Sequence, residues 1–178
     1  MTIWGSKKTV INSGKGGSTV LRFAQNSPGT LMNQCFLKEF LYQAIFIPEG
    51  VTSPERSIVD QPELQVYIEN FGKNPDDHCI AAEVDGRIVG AVWVRIMNDY
   101  GHIDDQTPSL AISLLPEYRG QGIGTELMKR MLSLLRESGY PGVSLSVQKA
   151  NYAVKLYRSL GFEVVRENEE EYIMLRRL

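Results

Sequence analysis

Two rhythms of apolar and polar residues run along this chain. Short apolar runs recur at TVLRFA (19–24), SLAISLL (109–115), GVSLSVQ (142–148), FEVVRE (162–167) and EEYIMLRR (170–177), and each predicts a strand. CIAAEVDGRIVGAVWVRIM (79–97) holds two such runs joined by Asp85–Gly86, a pair suited to a tight hairpin. Elsewhere the apolar residues fall at helical spacing. TLMNQCFLKEFLYQAIF (30–46) puts Leu31, Cys35, Phe36, Phe40 and Ala44 on one stripe. Thr125–Glu137 does the same with Leu127, Met128, Met131, Leu132 and Leu135, and ANYAVKLYRSLG (150–161) predicts another helix. PELQVYIENF (62–71) predicts a shorter one, with Asp60 as its N-cap and Pro62 in its first turn.

The order is therefore strand, two helices, hairpin, strand–helix twice, then terminal strands. That order predicts an α/β fold of the α+β kind, a mixed sheet with helices on its faces. No linker or repeat divides it, so residues 19–178 are expected to form one domain. Residues 1–18 are polar and carry SGKGGS, which predicts an N-terminal tail or a marginal strand.

Composition narrows the function classes. With 178 residues and 43% hydrophobic content, the chain can fill one core. A net charge of −2 and a pI near 5.8 argue against a dedicated nucleic-acid surface. Cys35 and Cys79 stand far apart, with only His78 and His102 as further soft ligands, so buried thiols are expected and no metal site. The first residues lack a signal-type apolar segment, and no apolar run reaches membrane-spanning length. A soluble cytoplasmic protein without a membrane partner is the expectation.

PEYRGQGIG (116–124) concentrates Gly120, Gly122 and Gly124 between a strand and an amphipathic helix. The first amides of a helix lack intrahelical partners, and the helix dipole places partial positive charge there. Glycines ahead of such an end remove Cβ atoms that would obstruct a phosphate, and Arg119 adds a cation. The spacing matches neither GxxxxGK[ST] nor GxGxxG, and GKGG (14–17) also lacks the Walker spacing.

The arrangement resembles the Arg/Gln-x-x-Gly-x-Gly/Ala loop of the GNAT acetyltransferases, with Arg119, Gly122 and Gly124 at the matching positions. ANYAVKLYRSLGF (150–162) resembles the second signature of that superfamily, an Asn, then Leu-Tyr, then Gly-Phe. Asn151 is flanked by Ala150 and Tyr152, where many relatives carry Asp and Pro. The resemblance implies a mainly antiparallel sheet, splayed where acetyl-CoA enters as co-substrate. It places the pyrophosphate on the amides of Gly120, Gln121, Gly122, Ile123, Gly124 and Thr125, beside Arg119. It lays the pantetheine arm along Ile112, Ser113 and Leu114, hydrogen-bonds that arm to Asn151, and makes Tyr157 the general acid for the leaving thiolate. A tyrosine at ~10 and a thiol at ~8.5 differ by only ~2 kcal/mol. Packing with a satisfied hydroxyl is the competing role for Tyr157.

The implied reaction is direct attack of a primary amine, small-molecule or peptide, on the thioester. A lysine-like amine costs about 4.6 kcal/mol to deprotonate at neutral pH, so a base would help. SLAISLL carries no carboxylate, which leaves Glu83, His102, Asp104 and Asp105 as candidates, with His102 and Asp105 first because their loop enters the central strand, while each reads more readily as a solvated or turn-forming residue than as a base. Tyr42 and Glu49 fall where the resemblance places the acceptor pocket. The alternative is a non-catalytic CoA-binding or sensing module. The last strand, EEYIMLRR, is also a candidate for edge-to-edge pairing in a homodimer.

Overall fold

The computed structural model describes residues 4–10, 20–26 and 34–178. Among the described residues eight strands form one sheet: β1 (Trp4–Val10), β2 (Val20–Asn26), β3 (His78–Val84), β4 (Arg87–Arg95), β5 (Ser109–Leu114), β6 (Gly142–Gln148), β7 (Glu163–Glu167) and β8 (Glu171–Arg177). Their order across the sheet is β1-β2-β3-β4-β5-β6-β8-β7. Every neighbouring pair is antiparallel except β5 and β6, which run parallel. Four α-helices among the described residues accompany the sheet: α1 (Gln34–Ala44), α2 (Pro62–Gln65), α3 (Ile123–Glu137) and α4 (Ala153–Ser159). The mixed, mainly antiparallel sheet with flanking helices matches the order read from the sequence. Residues 1–3 and 11–19, the remainder of the predicted tail and the first residue of the predicted strand, lie outside the described residues. So do residues 30–33 of the first predicted helix and the side chain of Cys35.

Period-two alternation divides the core between the two faces. Val92 and Val94 of β4 and Leu110 of β5 pack with Leu127, Met128, Met131 and Leu135 of α3. Ala91 and Trp93 face the other way, against Leu37, Phe40 and Leu41 of α1 and Ile68 and Phe71 of the following segment. All five α3 positions singled out by spacing are buried, as is Ile123. Cys79 is also fully buried, which raises its thiol pKa. Asp85 (φ 48°) and Gly86 (φ 85°) make the tight β3–β4 turn in the left-handed conformations such a hairpin requires.

Two elements depart from the sequence pattern. The predicted helix 62–71 is a single α-helical turn, capped by Gln61 rather than Asp60. Asp60 instead ends a 3₁₀ turn (Arg56–Asp60) and pairs with Lys38. Past Gln65 a tertiary contact overrides the helical pattern, because Arg95 Nη1 donates to the carbonyls of Val66 (2.9 Å) and Glu69 (3.0 Å). The same guanidinium pairs with buried Asp77, whose Oδ2 also accepts the Gly72 amide at 2.7 Å. The second departure concerns the sheet edge. EEYIMLRR forms β8, which is paired with β6 on one side and β7 on the other. The edge strand on this side of the sheet is β7, exposed along its whole length and carrying Glu163, Arg166 and Glu167, charges that discourage pairing with a second sheet.

Candidate functional site

The site begins where the sheet opens. β5 is paired with β4 along its full length, from Ser109↔Arg95 to Leu114↔Gly90, whereas β6 is paired along its length with β8. Between them, β5 and β6 pair only at Ser109↔Ser144 and then part. Beyond that point one edge of β5 has no strand partner among the described residues. The Leu115 amide donates to Val89 in β4 at 2.9 Å, so by strand alternation the amides of Ile112 and Leu114 point into the gap. Ser113 serves differently, its Oγ donating to the Phe40 carbonyl at 2.6 Å and fixing α1 on the sheet.

The glycine loop lies at the open end of that gap. Gly120 (φ 72°) and Gly122 (φ 82°) both occupy the left-handed region, and a Cβ on either would meet nothing within 4 Å. The space beside both glycines is therefore open. Gly124 is glycine for a different reason, since its Cβ would lie 3.2 Å from Leu114 Cδ1. The first bond of α3 runs from the Glu126 amide to the Gly122 carbonyl at 3.1 Å, which leaves the amides of Ile123, Gly124 and Thr125 without intrahelical acceptors. Ile123 buries its side chain and offers only its amide.

Arg119 departs from the simple picture of a cation facing a phosphate. Its Nε donates to the Leu114 carbonyl at 3.0 Å, and its Nη2 to the carbonyl and Oε1 of Gln43, each at 3.2 Å. It braces the end of β5 against the end of α1. Gln121 Nε2 closes the loop onto the Glu117 carbonyl at 2.8 Å.

On the opposite bank, β6 leads into α4. Asn151 Oδ1 accepts the Ala153 amide at 2.9 Å, so this side chain starts the helix while its Nδ2 remains available to donate. The Tyr157 ring is 8% exposed and packs 5.8 Å from Phe162. Burial, with a smaller contribution from Tyr152, raises its pKa and holds the phenol protonated at neutral pH.

The candidate bases are dispersed. Glu83 faces Arg22 at 3.8 Å. Asp104 Oδ1 accepts the Gln106 amide at 2.9 Å, a turn contact that lowers its pKa. The Asp105 side chain is 97% exposed, 3.9 Å from His102, whose Nδ1 is engaged by the Met97 carbonyl at 2.9 Å. Tyr42 donates its hydroxyl to Pro54 at 2.8 Å, and Glu49 is exposed. Asp99, which no motif in the sequence marks, accepts Tyr67 OH at 2.7 Å and Ser109 Oγ at 2.6 Å. No linear spacing links residues 67, 99 and 109, so no pattern along the chain announces the group.

The sequence model of the Acetyltransferase (GNAT) family matches residues 44–162, from the end of α1 to the start of β7. The chain belongs to the GNAT acetyltransferase family. The mycothiol acetyltransferase of Thermobifida fusca is 34% identical to this GNAT chain over 116 residues, covering 62% of the chain and 36% of that protein. The thialysine N-epsilon-acetyltransferase of Mus musculus is 33% identical over 115 residues, covering 60% of the chain and 68% of that protein. The chain thus spans little more than a third of the mycothiol acetyltransferases it matches. Among solved structures, the paiA N-acetyltransferase of Thermoplasma acidophilum in complex with coenzyme A superposes with a TM-score of 0.61 at 20% identity, over 82% of this chain and 92% of that one. The Salmonella typhimurium protein yncA, solved with acetyl-CoA, gives 0.57 at 15% identity, over 91% and 95% of the two chains. At those identities the shared feature is the fold. No helix among the described residues is long and apolar enough to cross a membrane.

Proposed function

We propose that residues 19–178 form a cytoplasmic catalytic domain that moves an acetyl group from acetyl-CoA to a primary amine on a small molecule or peptide. The observation that carries this reading is two sets of amides without acceptors among the described residues. One lies on the open edge of β5 at Ile112 and Leu114, and the other at the N-terminus of α3, from Ile123 to Thr125. Such a pairing of sites suits a ligand with a peptide-like arm and a diphosphate, which is the chemistry of coenzyme A. In this reading the diphosphate lies on the amides from Gly120 to Thr125 and the arm pairs with β5. Arg119 shapes the cradle through Leu114 and Gln43, and Asn151 Nδ2 meets the arm from the other bank.

The chemistry then follows from the free amides. The neutral amine nitrogen attacks the thioester carbonyl carbon, and a β5 amide stabilises the oxyanion. The C–S bond breaks, the Tyr157 hydroxyl gives its proton to the departing thiolate, the surplus amine proton leaves to solvent, and the phenolate takes a proton back from solvent. Calorimetry with acetyl-CoA tests the reading. Wild type should bind at micromolar concentration, and Gly122→Val, which forces a β-branched residue to φ 82°, should abolish binding while the fold persists. A well-folded wild type that ignores acetyl-CoA would refute it. Binding without transfer to any amine would point instead to a CoA-sensing module.

A further inference from the structure

A cleft of ≈ 250 Å³ lined by Glu63, Val66, Asn98, Asp99 and Tyr100 is not used by the acyl donor as placed above. It lies on the α1 side of the sheet, near the closed end of the β5–β6 gap. Asp99 is built into it. Ser109 Oγ and Tyr67 OH fix one carboxylate oxygen each, and each oxygen keeps a further lone pair for another donor. The loop bearing Asp99 presses onto β6, so that a Cβ at Gly101 would sit 3.0 Å from the Ser146 amide nitrogen and 3.3 Å from Asp99 Oδ2. The carboxylate therefore stands over the place where the two strands part. A second observation points to a missing partner on this side. Ser144, fully buried, is the register neighbour of Ser109 on the same face, and its Oγ has no hydrogen-bond partner among the described residues. Ser146 Oγ, two residues along that face, is likewise buried without one among them. Glu63 at the cleft and Glu171, whose charge acts on Tyr67 together with that of Asp99, add negative potential.

A carboxylate is a far weaker base than an amine at ~10.4, so it serves that amine as an ion partner for the ammonium and not as its proton acceptor. The nitrogen that attacks the thioester must be neutral, so a cation resting here is a different one. Ser109 and Ile112 are three residues apart along the strand, roughly 10 Å, which a short aliphatic diamine can span. We propose, resting on the acyl-transfer reading, that this cleft holds a second ammonium of the acceptor on the Asp99 carboxylate, which makes the substrate class diamine-like.

The test is calorimetric titration with cadaverine, with n-pentanol as its uncharged counterpart, in the presence and absence of saturating CoA. Wild type should bind cadaverine at least about 10-fold more tightly than n-pentanol. Asp99→Asn should weaken cadaverine by about 10-fold or more, with Asp99→Glu recovering most of the loss. Wild type that does not prefer cadaverine, or Asp99→Asn that binds it as tightly as wild type, overturns the proposal. Should Asp99→Asn fail to fold, the wild-type comparison and Glu63→Gln decide instead. The exposed Glu63→Gln should weaken cadaverine by about twofold to threefold, and an unchanged affinity counts against the cleft. Acetyl-CoA binding is titrated separately. Its absence would sink the acyl-transfer reading, whereas its presence without a cadaverine preference would sink the cleft alone.

Discussion

Tyr157 shows how one side chain can be both core and chemistry. Its ring fills the α3–α4 side of the core, yet among the described residues its hydroxyl has no hydrogen-bond partner. If the residue only packs, Tyr157→Phe should be almost silent, since removing an unpaired hydroxyl leaves nothing unsatisfied. If it protonates the thiolate, the same change should lower kcat by about 10²-fold, with KM for acetyl-CoA nearly constant. Release of the CoA thiol separates the two cases. The pH profile gives a second sign. A general acid works while protonated, and burial raises the pKa of this phenol, so its loss of activity moves to higher pH. No alkaline limb is expected near the ordinary tyrosine value of ~10. Asn151 shares this double duty, with Oδ1 committed to the start of α4 and Nδ2 uncommitted.

Among elements, the segment between α1 and β3 depends most on distant partners. It contains little regular helix, and its turns are held by Arg95 from β4 and by Asp77, with side-chain exposures of 7% and 0%. Arg95 also lies over the Phe71 ring at 5.3 Å, and Asn26 of β2 donates to the Asp77 carbonyl at 3.0 Å. Asp77→Ala would leave a buried guanidinium without its counter-ion. The expected cost is about 3–5 kcal/mol, on the order of 10 °C in Tm, read by thermal unfolding. Because this segment carries Tyr67, which positions Asp99, the loss should also loosen the cleft.

At the scale of the molecule, one sheet carries two cores, and β4 and β5 contribute side chains to both. That sharing predicts a single cooperative transition. Leu127→Ala on α3 and Leu37→Ala on α1, both at 0% exposure, should each cost about 2–5 kcal/mol. Each should shift circular dichroism and tryptophan fluorescence together, whereas separate transitions would show that the two faces unfold independently.

Local chemistry made much of this legible. Period-two and helical patterns marked the strands and the apolar stripe of α3, because burying one face requires them. Asp85–Gly86 announced its hairpin because few other pairs accept two positive φ angles. Glycines at 120 and 122 announced a bare backbone for the same conformational reason. The tertiary structure decided what depends on partners distant along the chain. It set β8 inside the sheet, turned Arg119 into a brace toward Gln43, and confined β5–β6 pairing to a single register position. It also brought Tyr67, Asp99 and Ser109 together. Sequence spacing encodes the rotation and rise of one element, but a gap between strands or a carboxylate held by two distant hydroxyls exists only once separate elements have packed.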